Sequence, residues 1–122
     1  MAEKNTMKQT HTIDAAGKTL GRVASEAAKA LMGKKSASYT PHIRSDVRVE
    51  VQNASKLRIM EKKRAQKVYN HYTQYPGGFK QETLANLSAR KGYSEAVRRA
   101  VRRMLPRNTM LTARLKNLIV TE

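Results

Sequence analysis

The sequence predicts a three-layer α/β domain around a partly parallel sheet, and two observations support that prediction. First, a helical pattern over 20–32 lies between strand-like segments at 10–15 and 47–53. Second, a mainly helical second half ends in an apolar, strand-like segment at 118–120. Strands separated by helices favour parallel pairing, with the helices packed on the sheet.

The first helix follows a short strand and a turn. THTIDA at 10–15 is the candidate strand, and Gly17 marks the turn. Thr19 is suited to cap the start of the helix and Gly33 to end it, which predicts a helix over 20–32. Its apolar residues recur at helical spacing, at Leu20, Val23, Ala24, Ala27, Ala28 and Leu31.

The middle of the chain carries loop and strand signals. Residues 36–46 are predicted to form a polar loop, because Pro41 disfavours helix at the residue before it. Valines alternate with polar residues in VRVEVQN at 47–53, which is typical of a strand with one buried face. KLRIM at 56–60 and KVYNHY at 67–72 are predicted to be strands joined by the basic connection EKKRAQ.

A turn leads into the mainly helical second half. YPGGF at 75–79 needs a positive φ at one or both glycines, and a short helix is predicted over 82–90. Ser94 is suited to cap the next helix, which Pro106 ends, and a last helical turn lies near 110–116. The apolar stripe of the longer helix comprises Val97, Ala100, Val101, Met104 and Leu105.

Composition indicates one domain that binds a polyanion. The 122 residues suffice for one modest core, so we expect a flexible polar leader at 1–9 and a single domain at 10–122. Lys and Arg number 25 against 9 Asp and Glu, a formal net charge of +16, which favours nucleic acid. One Phe and five Tyr offer few rings for base stacking, so recognition is expected to rely on charge and shape.

Several function classes are disfavoured by what the chain lacks. Without Cys it forms no disulfide and no thiolate–zinc site, and no segment resembles a signal peptide or a membrane span. His11, His42 and His71 are widely separated, and the acids form no close pair. We therefore expect a cytoplasmic protein that is not an enzyme and has no cofactor, metal, membrane partner or small-molecule substrate.

Residues 17–19 spell Gly-Lys-Thr, which ends a nucleotide-binding phosphate loop. That loop requires an earlier glycine at the position where this chain has Thr12, so a nucleotide site is disfavoured. One alternative is a plain strand-to-helix turn. Another is a turn whose helix N-terminus, flanked by Lys18 and Arg22, binds a backbone phosphate.

Basic residues cluster at separate points along the chain. The helix near 94–105 has Glu95 as its only acid and carries, opposite its apolar stripe, Arg98, Arg99, Arg102 and Arg103. Because like charges on one face repel, this stripe favours a polyanion partner over a merely solvated face. Further clusters lie at 33–35 and 61–67, and the stripe is extended by Arg90, Lys91 and Arg107.

Five segments carry a more specific signal: IDAAGKTLGRVASEAAKALMGK, YTPH, VQNASKL, KVYNHYTQYPGGFK and EAVRRAVRRMLPRN. Together they resemble the universal large-subunit ribosomal protein family numbered thirteen, in its bacterial form. The resemblance covers about residues 11–120. It is specific because separated segments match in order and with compatible spacing.

The resemblance implies an α/β/α fold with a four-stranded, largely parallel core sheet. It also implies a non-catalytic protein that binds large-subunit ribosomal RNA, mainly at phosphate and ribose, and supports early subunit assembly. Neighbouring large-subunit proteins are the other expected partners, and no self-association is expected. Family positions and basic clusters together give the predicted RNA-binding residues, Lys18, Thr19, Arg22, Lys34, Lys35, Tyr39, Thr40, His42, Arg44, Lys62, Lys63, Arg64, Tyr75, Gly77, Gly78, Lys80, Arg90, Arg98, Arg99, Arg102, Arg103, Arg107 and Asn108.

The chain also departs from the family pattern. Residues 10–12 stand where an aromatic residue is usual, Arg103 where a glycine is common, and residues 110–112 where Leu-Gly-Arg is typical. Two other functions stay open from the residues alone: a DNA-binding architectural protein and, less favoured, a small phosphate-loop nucleotide hydrolase.

Overall fold

The chain has a mixed α/β fold, given by a computed structural model that describes residues 9–37, 41–42 and 46–122. The first half contains β1 (Gln9–Asp14), α1 (Leu20–Met32), β2 (Val47–Gln52), a single 3-10 turn (Ala54–Lys56) and α2 (Glu61–Gln66). The second half contains β3 (Val68–Tyr72), β4 (Phe79–Thr83), α3 (Leu84–Lys91), α4 (Tyr93–Met104), α5 (Leu111–Lys116) and β5 (Leu118–Val120).

Three of these strands form a parallel sheet in the order β1-β2-β5. β1 pairs with β2 from Gln9↔Val47 to Asp14↔Gln52, and β2 pairs with β5 from Val49↔Leu118 to Val51↔Val120. Parallel neighbours need a crossover, which α1 supplies between β1 and β2. The three valines of β2 are buried, as their alternation predicts.

Helix α1 has the predicted bounds and buries the predicted residues against β2 and α4. Gly33 ends it in the left-handed region at φ 85, and the amide of Lys34 donates to the Lys29 carbonyl at 3.2 Å, which closes the last turn. Thr19 precedes the helix as predicted, but its side chain accepts no capping hydrogen bond. Its backbone instead forms a single parallel bridge with Arg58.

The segment at 56–60, predicted as a strand, is not one. Asn53 adopts φ 60 and turns the chain, so this segment meets the β1–α1 turn through a single bridge at Arg58 and a hydrogen bond from the Gly17 amide to the Lys56 carbonyl at 3.0 Å. EKKRAQ is the helix α2 rather than a connection, with Glu61 in its first turn and Lys63 and Arg64 in its last, as the helix dipole favours. A fourth core strand is therefore not found among the described residues.

A separate antiparallel pair replaces it. β3 lies where a strand was predicted, but it pairs with β4, which occupies residues predicted as the end of a turn and the start of a helix. The turn between them has a positive φ at Gly77, as predicted, though not at Gly78. Within the described residues, the strands thus form one three-stranded parallel sheet and one hairpin.

Helices α3 and α4 differ from their predictions at their starts. α3 begins at Leu84, after Thr83, whose Oγ1 accepts from the Asn86 amide at 3.3 Å. α4 begins at Tyr93, so Ser94 lies inside the helix and does not cap it.

The cap of α4 comes from a distant residue. The Glu122 carboxylate accepts from the Ser94 amide at 3.0 Å, and it packs against Gly92, whose φ is 80. At the other end of the helix, Met104 is 43% exposed instead of buried, whereas Leu105 is in the core as predicted.

Candidate nucleic-acid interface

A cleft of about 1100 Å³ lies between β3 and α4 and continues along the chain that follows α4. Its cationic lining consists of Arg98, Arg99, Arg102, Arg103 and Arg107, and we call it the arginine cleft. Asn108 lines it too, so the structure brings six of the predicted RNA-binding residues into one site.

The arginines point to one side because α4 buries the other. Ala96, Val97 and Val101 are fully buried, and α4 packs through them into the core shared with α1. The helical repeat then places the arginines on the open side, where all but Arg99 are exposed. The predicted opposition of apolar and basic faces is confirmed.

Arg99 is held by neighbours on two sides. Its Nε donates to the Glu95 carboxylate at 3.2 Å, and its guanidinium carbon lies 5.1 Å from the centre of the Tyr69 ring. Burial raises the pKa of the Tyr69 hydroxyl, although the charges of Arg99 and Arg103 oppose that rise. Arg99 is therefore a fixed, partly buried cation on the floor of the cleft.

A second hollow of about 670 Å³ adjoins the arginine cleft on the other side of Tyr69 and Arg99, and we call it the hairpin hollow. Lys80, Arg90 and Lys91 line it, together with Glu82. Two of the predicted residues, Lys80 and Arg90, are thus close to the arginine cleft.

Arg90 is paired within the protein. Its Nε and Nη2 donate to the two Glu82 oxygens at 2.9 and 2.7 Å, a bidentate ion pair that joins α3 to β4. The hydrogen bonds from Arg90 hold the pKa of the Glu82 carboxyl below its ordinary value. Arg90 therefore offers an anion less free charge than the exposed arginines of α4, Arg98, Arg102 and Arg103.

The charge balance of the arginine cleft suits an anion. Its lining contains five arginines and one acid, Glu95, which engages Arg99 alone among them within the described residues. Arg98, Arg102, Arg103 and Arg107 are exposed, and guanidinium groups bind phosphate oxygens through paired hydrogen bonds. The cleft is thus equipped to hold several phosphates.

The β1–α1 turn is a second basic region, separate from the cleft. Asp14 shapes it by accepting from the Ala16 amide at 3.0 Å and from Asn53 Nδ2 at 2.9 Å, and these bonds lower the pKa of its carboxyl. Gly17 has the positive φ that the turn requires. The predicted strand-to-helix turn is confirmed.

Glu26 neutralises part of this turn. Lys18 Nζ and Lys35 Nζ each lie 3.8 Å from a Glu26 oxygen. Thr19 and Arg22 are exposed, and Arg22 has no acidic partner among the described residues. Lys34 is exposed just after α1.

The remaining predicted residues lie elsewhere. Lys62 and Lys63 are exposed on α2, whereas Arg64 is bonded to Glu61 at 3.1 Å and stacks 5.8 Å from the ring centre of Tyr93. His42 is exposed, and Tyr75, Gly77 and Gly78 form the end of the hairpin. The predictions for Tyr39, Thr40 and Arg44 fall outside the described residues.

Seven residues that line the cleft were not predicted as site residues, and three of them belong to β3: Tyr69, Asn70 and His71. Their strand was predicted, but its partner β4 was not, so nothing brought them toward α4. Across the described ranges, no cluster of acidic and histidine side chains could hold a metal, and no helix could span a membrane.

Comparison with known proteins identifies the family. The model of the ribosomal protein L13 family matches residues 8–122. Two proteins named large ribosomal subunit protein uL13 align over 117 residues, or 96% of this chain. That of Nitrosococcus oceani is 44% identical with 82% of its own length covered. That of Chlamydia pneumoniae is 40% identical with 78% covered.

A third relative supports the same assignment. The large ribosomal subunit protein uL13 of Gloeothece citriformis is 47% identical over 103 residues, which is 84% of this chain and 68% of that protein. The family match spans the turn, the hairpin and the arginine helix alike. The chain therefore belongs to the ribosomal protein L13 family, in its bacterial form.

Proposed function

We propose that this chain is a structural constituent of the large ribosomal subunit and binds large-subunit ribosomal RNA through the arginine cleft. The observation that carries this proposal is the convergence of five arginines and one acid on one open cleft. The family is structural rather than enzymatic, so the Gly-Lys-Thr turn needs no nucleotide. Neighbouring large-subunit proteins would be the other partners.

The cleft would bind RNA chiefly by charge. Each arginine that approaches a phosphate releases condensed counterions, so affinity falls as salt rises. The logarithm of the binding constant falls linearly with the logarithm of the salt concentration, and each phosphate contacted adds about 0.7–0.9 units to the size of that slope. Asn70 and Asn108 add uncharged groups that suit ribose hydroxyls. Fixed Arg99 lowers the ordering cost of the complex, because its neighbours already hold it.

Exposed cations outside the cleft would bind further RNA segments. These are Arg22 beside the β1–α1 turn, Lys62 and Lys63 on α2, and Lys34 after α1. A protein that holds several RNA segments at once would stabilise their relative arrangement, which fits a role in early assembly. The proposal also includes that the protein is cytoplasmic, that it folds as a single domain, and that it has the four-stranded, three-layer core of the family.

The proposal can be tested by measuring salt-dependent binding to large-subunit ribosomal RNA transcribed in vitro. The variant Arg98→Gln with Arg102→Gln removes two exposed cations from the cleft. We expect its log–log salt slope to fall by about 1.5 units and its affinity to fall at least tenfold.

The matched control is Lys29→Gln with Lys116→Gln, which removes the same charge from α1 and α5 outside the cleft. Its slope should change by less than half a unit if the cleft is the site. Equal slopes in the two double variants would show that binding depends on net charge alone and would reject the site. Comparable affinity for duplex DNA at physiological salt would favour the architectural alternative instead.

A cellular measurement tests the ribosomal role directly. A tagged copy of the full chain should co-sediment with large subunits on a sucrose gradient and stay there at moderate salt. Recovery only at the top of the gradient would reject the function, whatever the RNA affinity of the purified protein.

A further inference from the structure

The end of the β3–β4 hairpin exposes an unusual share of the aromatic residues. The chain has one Phe and five Tyr, and three of these six are exposed there: Tyr72 by 58%, Tyr75 by 74% and Phe79 by 56%. We call these three residues the aromatic tip. Large apolar side chains exposed together usually mark a binding surface.

Pairing places two of the rings on the same face. Tyr72 and Phe79 are direct partners in the antiparallel register, so their side chains lie side by side. Tyr75 lies in the connecting turn, one residue before Pro76.

The turn that carries Tyr75 is closely determined. The Gly78 amide donates to the Tyr75 carbonyl at 2.9 Å, and the Thr73 amide donates to the Gly78 carbonyl at 3.3 Å. Gln74 adopts φ 67, which side chains rarely tolerate, and Gly78 packs against the Thr73 side chain with no space for a Cβ. Because the backbone of this turn is held in one conformation, presenting Tyr75 to a partner costs little conformational entropy.

The charges around the tip favour a nucleic acid over an apolar protein surface. Lys80 is the only residue from 68 to 81 with a full charge, and no acid lies in that range. Lys80 is the register partner of His71, and both line the hairpin hollow that adjoins the arginine cleft. Tyr72 and Phe79 lie on the opposite face of the hairpin from these two residues, because successive side chains of a strand point to opposite faces.

We propose that the aromatic tip stacks against unpaired bases of the ribosomal RNA that the chain binds. This inference rests on the proposed function and adds the class of RNA element. Bases inside a duplex already stack on their neighbours, whereas bases in loops and bulges have faces free for a ring. The tip would thus select a loop, bulge or strand end rather than a regular helix.

The test compares Tyr75→Leu with Tyr75→Phe in the full chain, using the same ribosomal RNA transcript. Leucine keeps an apolar side chain but has no ring, whereas phenylalanine keeps the ring and loses only the hydroxyl. Stacking predicts a loss on the order of tenfold for Tyr75→Leu and a change within about twofold for Tyr75→Phe. Because no phosphate contact is removed, the salt slope of both variants should equal that of the wild type.

Two outcomes would overturn the inference while leaving the proposed function intact. They are wild-type RNA affinity of Tyr75→Leu and an equal loss of affinity in both variants. If Tyr75→Leu keeps wild-type RNA affinity but is lost from large subunits, the tip is assigned to a protein neighbour. Absence of RNA binding by the wild-type chain would instead reject the proposed function.

A second measurement does not depend on variants. Irradiation of the wild-type complex at short ultraviolet wavelength joins stacked rings to bases, and tryptic digestion releases residues 68–80 as one peptide. We expect nucleotide adducts on this peptide at Tyr72, Tyr75 or Phe79. Adducts confined to buried Tyr69, or found only on other peptides, would contradict the proposal.

Discussion

The arginine cleft and the β1–α1 turn are both basic, but the structure gives them different amounts of available charge. In the cleft, four of the five arginines are exposed, and Glu95 engages only Arg99 among the described residues. Beside the turn, Glu26 of α1 lies 3.8 Å from Lys18 and 3.8 Å from Lys35, which follows the far end of α1. The number of basic residues in a segment therefore does not give the charge that is available to a binding partner.

The comparison also separates two ways of building a basic surface. Lys18 lies before α1 and Lys35 lies after it, and the acid that is near both, Glu26, comes from the same helix. The cleft draws its lining from β3, α4 and the segment beyond α4, with one acid among them. The second arrangement forms a cleft lined by three segments, whereas the first places its cations along one helix.

The largest effect should come from reversing the charge of α4. Changing Arg98, Arg99, Arg102 and Arg103 to glutamate lowers the formal net charge from +16 to +8 and fills the cleft with acids. We expect incorporation into large subunits to be abolished, as measured by the fraction of tagged protein in that gradient peak. Lys18→Glu with Lys35→Glu serves as the comparison and should retain most incorporation. A greater loss of incorporation for this variant than for the α4 variant would contradict the difference in available charge between the two regions.

A smaller effect is expected at Arg103, one of the exposed arginines of the cleft. Arg103→Gly removes one of five cleft cations and places glycine in a helix, at a cost of about 1 kcal/mol in unfolding free energy. The salt slope for RNA binding should fall by about 0.7–0.9 units. Arg103→Ala separates the two contributions, because it loses the charge but keeps the helix; an unchanged slope there would exclude Arg103 from the phosphate contacts.

Glu26→Gln should raise affinity. This change frees Lys18 and Lys35 from their shared carboxylate, so RNA binding should strengthen by about threefold and the salt slope should steepen. Filter binding at several salt concentrations measures both quantities. No change in either would indicate that RNA does not approach the β1–α1 turn.

The smallest effect concerns stability at acid pH. Arg90 lowers the pKa of the Glu82 carboxyl in the folded state. The ion pair therefore contributes its full stabilisation above pH 4.5, the ordinary pKa of the carboxyl, and this stabilisation is lost as pH falls through the lower pKa of the folded state. The thermal midpoint of the wild type should therefore fall more steeply below pH 4.5 than that of Glu82→Gln. Parallel curves would show that the pair adds nothing measurable.

The spacing of apolar residues was sufficient to predict the helices and strands that bury one continuous face. α1 and β2 follow their apolar spacing closely, and the stripe of α4 correctly placed its arginines on the open side. β4 was missed because FKQET has no buried residue to mark a strand, so only its pairing with β3 defines it. Pairing between strands is a tertiary property that local pattern does not contain.

The site was predictable in its cations but not in its shape. The arginines of α4 are visible in the sequence, and the family resemblance added Asn108 and the hairpin turn. The contact between Arg99 and the Tyr69 ring requires the hairpin to lie beside α4, and no spacing rule relates residues so placed. For the same reason, the aromatic residues looked too few for stacking until the hairpin brought three of them together.

The carboxylate of Glu122 at the start of α4 has a consequence for the order of folding. It reaches the Ser94 amide only after the chain beside it has joined β2, where the Thr121 amide donates to the Val51 carbonyl at 2.8 Å. Contacts between segments so far apart close late, because the loop entropy must be lost first. The first turn of the arginine helix would thus gain this hydrogen bond only once the end of the chain has joined the sheet.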